Sequence, residues 1–226
     1  MHDSNVTSAD NTFVYEETEV SKMYFILKRL ADIFFAIIGC LMLIPLTIII
    51  KLCCVLKGDF SPIIFKQDRI GKNGKTIKIY KYRSMVVGAD QILKDLIEND
   101  PDIAEEYKRN KKLKNDPRIT PIGKIIRATS IDEFPQFINV LKGEMSLVGP
   151  RPYLHREIED MGEYYETIIK SKPGITGYWQ VNGRSGTNFV QRLVMDEYYY
   201  YNRGIILDIK IFIKTILKVI KKDGAK

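Results

Sequence analysis

The sequence predicts an α+β fold, mostly helical, in which a re-entrant membrane helix broken at a proline precedes a small cytoplasmic catalytic domain with a β-hairpin and interfacial amphipathic helices. Three observations carry this. An apolar run from Ile33 to Ile50 holds Pro45. The tract from Lys66 to Arg83 alternates apolar and polar residues around Asn73-Gly74. The segment from Ile205 to Lys222 repeats lysine every four residues among Ile, Leu, Phe and Val. The divisions that follow are a mobile N-terminal arm over residues 1–20, the membrane helix over 21–57, and the catalytic domain with its C-terminal interfacial helix over 58–226.

With 226 residues, a net charge of +7 and 45% hydrophobic residues, the chain has material for one ordinary domain and a membrane element. Its histidines are His2 and His155, which leaves little for histidine triads or multi-histidine metal sites. Cys40, Cys53 and Cys54 all fall in the apolar segment and read as small hydrophobes in a reducing compartment. Residues 1–20 are polar and acidic without a sustained period, unlike a signal peptide with its positive start and early apolar core.

The apolar run, about 18 residues, reaches the length of a candidate transmembrane helix. Two features speak for a re-entrant path instead. Lys28 and Arg29 before the run and Lys51 and Lys57 after it place positive charge, the mark of the cytoplasmic side, at both ends. Pro45 removes a helical hydrogen bond and sets up a kink, leaving arms of ~12 residues, or ~18 Å, against a hydrocarbon core of ~30 Å. An ordinary tilted span that tolerates its proline is the alternative on these residues alone.

From Lys66 to Arg83, seven basic residues stand against one acid, Asp68, in what reads as a basic β-hairpin turning at Asn73-Gly74. Gly71 and Gly74 are too close together for a phosphate-binding P-loop. The charge suits anionic headgroups, polyphosphate substrates or nucleic acid, and the adjacent membrane segment ranks nucleic acid last. Residues 89–114 mix acids and bases at helical spacing, a solvated helical excursion broken at Pro101. Asp100-Pro101-Asp102 matches a D-x-D metal pattern, but in so charged a stretch a solvated face is the better reading. Thr120-Pro121 starts a helix, with threonine as cap and proline first, that leads past Arg127.

The stretch from Ser130 to Pro152, SIDEFPQFINVLKGEMSLVGPRP, is the candidate active site. Ser130-Ile131-Asp132-Glu133 fits a capping box, although with Ser130 as cap Pro135 would fall where an N–H is already needed, so a helix start nearer Asp132 fits better. In either case Asp132 lies among outward-pointing backbone N–H groups, which depress a carboxylate pKa and favour a bound phosphate. An ionised carboxylate beside a phosphate site is a candidate nucleophile. Further on, residues 172–184 read as a Gly-rich loop, a short strand and an Asn-Gly turn, after which Arg184 reaches a phosphate or faces water with equal ease. Lys210, Lys214 and Lys218 stripe an otherwise greasy helix, the pattern of one lying in a membrane interface; a core helix would have to bury those lysines.

Lys28-Arg29 and Asp32 ahead of a proline-broken membrane helix, then FKQDRIGKNGKTIKIYKYRSM, DPRITPIGKIIRATSIDEFPQ, NVLKGEMSLVGPRP and KPGITGYWQVNGRSG, occur in one order. That order resembles the bacterial sugar-transferase family, the monotopic phosphoglycosyl transferases or polyprenyl-phosphate hexose-1-phosphate transferases. The likeness runs over residues 22–220, in the manner of a short form reduced to the catalytic module, and departs in having Ile44-Pro45 where the family commonly has Ser-Pro.

The resemblance implies transfer of a hexose 1-phosphate from a UDP-sugar to undecaprenyl phosphate, with Mg2+, through a covalent aspartyl sugar-phosphate and with release of UMP. It places the reaction on the inner face of the bacterial cytoplasmic membrane, at the start of exopolysaccharide or other surface-glycan assembly. By motif position Asp132 is the nucleophile and Glu133 its metal-binding or proton-handling neighbour, the two together forming the metal site. Arg127 and Arg151 hold phosphates, Lys81 and Arg83 belong to the site rim, and Arg184 is a further substrate contact. The KPGITGYWQVNGRSG tail is similar to that of exopolysaccharide-initiating members, which puts glucose or galactose ahead of acetamido sugars. The implied partners are UDP-sugar, undecaprenyl phosphate and membrane lipids but not nucleic acid, and a homodimer is left open. Two other readings stay open. A glycosyl transferase moving the sugar alone would use Asp100 and Asp102 and release UDP, and a noncatalytic membrane scaffold would tolerate loss of Asp132.

Overall fold

A computed structural model describes residues 20–183 and 187–221; the expected N-terminal arm, apart from Val20, and Arg184 lie outside them. The chain begins with α1 (Lys22–Leu56), the hairpin β1 (Ile64–Ile70) and β2 (Thr76–Tyr82), and the charged pair α2 (Ala89–Asn99) and α3 (Pro101–Asn110). Next come α4 (Pro121–Ala128), a 3₁₀ turn over Ile131–Gln136, α5 (Phe137–Lys142) and β3 (Ser146–Val148). Short α6 (Ile158–Met161) and α7 (Tyr164–Ile168) precede β4 (Gly174–Thr176), α8 (Tyr178–Asn182), α9 (Phe189–Asn202) and α10 (Ile205–Lys221). Helix dominates, as the sequence predicts. β1 and β2 pair antiparallel from Ile64 opposite Tyr82 to Ile70 opposite Thr76, and β3 pairs in parallel with β4. Asn73 and Gly74, at φ 57° and 73°, make the expected turn between β1 and β2, left-handed conformations that these two residue types tolerate.

α1 is a 35-residue helix that Ser21 caps by accepting from the Met23 N–H. Where Pro45 predicts a break between two arms, the helix instead continues through the proline to Leu56. Packing on both sides of it is the physical reason. Leu43, Leu46 and Ile50 join Tyr82 and Ile126 in one apolar cluster, and Tyr82 Oη lies 2.7 Å from Thr47 Oγ1 and donates to Leu43 O at 3.4 Å. One face of α1 meets the domain along its whole length, burying Tyr24, Asp32, Ala36, Gly39, Ile50 and Cys54. The other face is apolar and bare: Leu30, Phe34, Leu41, Ile44, Ile48 and Leu52 are all more than half exposed.

The N-terminal part of α1 is docked by polar groups. Asp32, 4% exposed, accepts from the Leu147 N–H at 2.8 Å and Ser146 Oγ at 3.0 Å. Lys28 reaches Val148 O at 2.8 Å and Asp208 of α10 at 2.6 Å. Arg29 donates to Val140 O at 2.6 Å, which also accepts from the Gly143 N–H, and to Leu141 O at 2.9 Å, so it caps the end of α5. Midway along, α1 lies so close to α5 that a Cβ on Gly39 would come within 2.3 Å of the Phe137 ring.

α10 buries Ile211 and sets Thr215 against Thr176 at 2.8 Å, while Ile206, Ile209, Ile213 and Ile220 form an exposed apolar row beside exposed Lys210 and Lys214. The excursion breaks at Pro101 as expected, because Asp100 caps α3 by accepting from the N–H groups of Asp102 and Ile103.

Asp32→Ala would leave a buried N–H and hydroxyl without their acceptor, a cost of about 1–3 kcal/mol. Thermal unfolding in detergent should shift down by a few degrees, and less for Asp32→Asn, which keeps an acceptor oxygen. An unshifted midpoint for Asp32→Ala would show that α1 does not depend on β3 for its seat.

Candidate active site

Thr120 and Pro121 start α4 as the sequence predicts, the threonine hydroxyl accepting from the Gly123 N–H at 2.9 Å. Gly123 is required by proximity, since a Cβ there would lie 1.9 Å from Ser84 O just beyond β2. This contact sets Arg127, in the last turn of α4, against Ser84 Oγ, to which its Nε donates at 2.8 Å. Ser130 then takes φ 56°, a left-handed conformation costing about 1–2 kcal/mol for a residue with a Cβ, and turns the chain into the 3₁₀ segment.

The Ser130 side chain does not cap that turn, so the capping box is not formed. Glu133 pairs instead with Lys81 of β2, Nζ to Oε1 at 2.7 Å. Asn139, fully buried in α5, holds the two elements together. It accepts from the Tyr80 N–H at 3.2 Å and donates to Lys78 O at 2.8 Å and Glu144 Oε2 at 2.7 Å, acting as a side-chain extension of β2.

Asp132 is 9% exposed. Burial first, and the Glu133 carboxylate second, push its pKa up to about 6 against the pull of Lys81 and Arg127. The helix-terminus argument predicts a depressed value, and the structure corrects it: desolvation beside a second acid outweighs the single backbone N–H, the residue's own, that favours the charged form. Above about pH 6 the site therefore holds a poorly solvated carboxylate near two cations, the condition of an activated nucleophile.

These groups line an open cleft of about 1670 Å³, wide for one small molecule, walled on one flank by Phe35, Ile38 and Met42 of α1. Arg151 also lines the cleft, its guanidinium 5.9 Å from the Trp179 ring centre. Arg83 lines it too but is engaged elsewhere, donating to Pro62 O, Met85 O and Asp59 Oδ2, so it clamps the loop after α1 and is not brought onto the carboxylate pair. Arg184 lies outside the described residues. Arg69, Lys112 and Arg192 enter the same cleft from β1, the loop after α3 and α9. Lys112 and Arg192 lie outside the motifs, and Arg69, within FKQDRIGKNGKTIKIYKYRSM, is there one cation among many.

Two adjacent hard carboxylates suit Mg2+, which takes one or two such ligands and completes its octahedron with phosphate oxygens and water. Among the described residues no group of three or more His, Cys, Asp or Glu side chains forms a closed cage, so an ion on Asp132 and Glu133 would depend on oxygens from a substrate. The D-x-D alternative has a structural account in the capping role of Asp100.

The chain belongs to the bacterial sugar transferase family, whose profile matches residues 23–222. It is 43% identical over 199 residues to the undecaprenyl-phosphate galactose phosphotransferase of Salmonella typhimurium, covering 88% of this chain and 41% of that protein. It is 34% identical over 226 residues, the whole of both chains, to the exopolysaccharide production protein ExoY of Rhizobium meliloti. It is 38% identical over 210 residues to the UDP-glucose:undecaprenyl-phosphate glucose-1-phosphate transferase of Escherichia coli, covering 89% of this chain and 42% of that protein. The chain thus spans about two fifths of the length of the galactose and glucose relatives.

A carboxylate whose folded pKa is raised destabilises the fold in its charged form. The penalty is absent below the ordinary value of 3.8, grows toward about 6, and is constant above. Asp132→Asn should therefore raise the unfolding midpoint at pH 8 and change it little at pH 4. Equal shifts at the two pH values would mean that the carboxylate is not desolvated.

Proposed function

We propose that the chain transfers a hexose 1-phosphate from a UDP-sugar to undecaprenyl phosphate at the inner face of the cytoplasmic membrane, beginning exopolysaccharide or other surface-glycan assembly. The observation that carries this reading is a buried Asp132 beside a lysine-paired Glu133, in a cleft walled by the apolar helix α1. The names of the relatives, with galactose and glucose as their sugars, support it.

In the first half-reaction an Asp132 oxygen attacks the sugar-bearing phosphorus. The bond from that phosphorus to the bridging oxygen breaks, and UMP leaves with the oxygen. The acyl phosphate formed is close in energy to the anhydride lost, so in the second half an oxygen of undecaprenyl phosphate attacks the same phosphorus and frees the carboxylate. Arg127 and Arg151 offset charge on the phosphates, and Lys81 holds Glu133 in place. Mg2+, held by Asp132 and Glu133, would neutralise further phosphate charge.

α1 is read as re-entrant, with both of its ends on the cytoplasmic side and Pro45 as a bend inside one continuous helix in place of a break between two arms. Its two ends both pack on the one domain, Lys28 on Asp208 and Cys54 in the cluster with Tyr82, so a full crossing would drag polar surface into the bilayer. The bare apolar faces of α1 and α10 are then the membrane-embedded surfaces.

Donor and Mg2+ without lipid should release UMP and leave a sugar-phosphate adduct on the peptide carrying Asp132, seen by mass spectrometry after a fast quench. Asp132→Asn should cut turnover by about 10⁴-fold or more. A variant that turns over normally, or an adduct on another peptide, would rule the nucleophile out. The wild-type rate should rise with pH as the Asp132 carboxyl ionises, with its midpoint below about 6 when Mg2+ is bound, because a cation favours the charged form. Cysteine labelling in intact cells that tagged the N-terminal arm from outside would defeat the topology.

A further inference from the structure

The cations of the cleft act in two groups. Lys81 and Arg127 bear on Asp132. Arg69, Lys112, Arg151 and Arg192 bear on one another: burial first, then neighbouring positive charge, bring Arg69 down to about 9 and Arg192 to about 10 and lower Lys112. Among the described residues, Arg69, Arg151 and Arg192 enter no salt bridge. The nearby acids have other hydrogen-bond partners. Asp196 Oδ2 accepts from the Arg151 N–H at 3.1 Å and Tyr153 Oη at 2.7 Å, and Glu157 Oε2 accepts from the Leu154 N–H at 2.7 Å. Arg69 donates to Gln67 Oε1 and Pro152 O, and Arg192 Nη2 to Asn110 O and Thr187 O, all neutral acceptors. These two buried arginines, beside half-buried Arg151, therefore keep charge that no ion pair offsets, and a bound anion would offset it.

A second observation points to the same place. Among the described residues, the buried side-chain polar atoms without a partner are Trp179 Nε1, Gln180 Oε1, Arg192 Nε and Asp196 Oδ1. The guanidinium groups of Arg151 and Arg192 lie 5.9 and 5.3 Å from the centre of the Trp179 ring, which joins the orphaned atoms to the cation group. Unpaired buried groups in a native fold call for a missing partner. Of these residues Trp179, Gln180 and Arg192 line the cleft, giving two unpaired donors and one unpaired acceptor, Gln180 Oε1, so a partner that fits them offers a donor as well as anionic oxygens. The phosphate of a polyprenyl lipid offers only oxygens. A nucleoside monophosphate offers phosphate oxygens, ribose hydroxyls and a base N–H.

We infer that Arg69, Lys112, Arg151 and Arg192, with Trp179 and Gln180, form the seat of the nucleoside monophosphate half of the donor. This seat adjoins the cations around Asp132 through Arg69, which feels the Glu133 carboxylate. The inference rests on the proposed reaction and deepens it. Each of the donor's two phosphates then has its own cations, and the leaving UMP is held while Asp132 takes the other phosphorus.

The test is titration of the purified full chain with UMP and with inorganic phosphate, alongside UMP release from UDP-sugars. Lys112→Ala and Arg192→Gln, each checked for an unchanged unfolding midpoint, should each weaken UMP binding about tenfold or more, as loss of a charge-assisted hydrogen bond does. Arg192→Lys should restore part of it, and Arg127→Ala should leave it within about twofold, given charge screening between the two groups. Wild-type UMP affinity in both Lys112→Ala and Arg192→Gln overturns the site, even if UMP release proves the reaction. Weakened UMP binding in a chain that transfers no sugar phosphate keeps the site and sinks the reaction. Binding of inorganic phosphate as tight as that of UMP overturns the nucleotide assignment.

Discussion

The hydrogen bonds that Asp32 accepts from β3 are the constraint on which the rest of this structure depends. A long apolar helix has no intrinsic reason to lie along a small polar domain. Apolar packing alone would let it slide or rotate, because such contacts are non-directional. Asp32, Lys28 and Arg29 make the seat directional by taking specific backbone groups of β3 and α5, and the close approach at Gly39 fixes the depth. α5 follows directly from the turn that carries Asp132 and Glu133. Docking the membrane helix and placing the carboxylates are therefore one event.

That coupling gives the catalytic pair its electrostatics. Asp132 is pressed out of water next to another acid, and Lys81, Arg127 and its own backbone N–H oppose the resulting rise in its pKa. A carboxylate near its titration point is sensitive to every charge brought into the cleft. A cation or a phosphate-bound metal would favour the ionised form, and an unneutralised anion would oppose it. The arrangement suits the proposed role, in which the group is ionised to attack and then carries an acyl phosphate bond.

The cleft joins two environments that one site seldom combines. On one flank α1 offers Phe35, Ile38 and Met42; on another, Lys112 and Tyr107 come from the charged excursion. In the proposed reaction a water-soluble donor and a lipid acceptor would have to reach the same atom. The excursion, read along the chain as a solvated face, contributes to that polar wall.

Along the chain, local chemistry was legible wherever it acts over a few residues. Asn73-Gly74 makes a hairpin turn because of backbone sterics, Thr120-Pro121 starts a helix because of capping, and Pro101 breaks one because Asp100 can cap the next. The order of the motifs likewise singled out Asp132 and Glu133 as candidates. Tertiary structure decided what depends on distant partners. Pro45 is carried inside a helix because Tyr82 and Ile126 pack beside it, Glu133 pairs with Lys81 and not with Ser130, Arg83 serves a loop, and Asp132 is desolvated. Arg69, Lys112, Arg151 and Arg192 become a group only when β1, α9 and two loops meet. Burial and Coulomb interaction are set by distance in space, and a sequence records only distance along the chain.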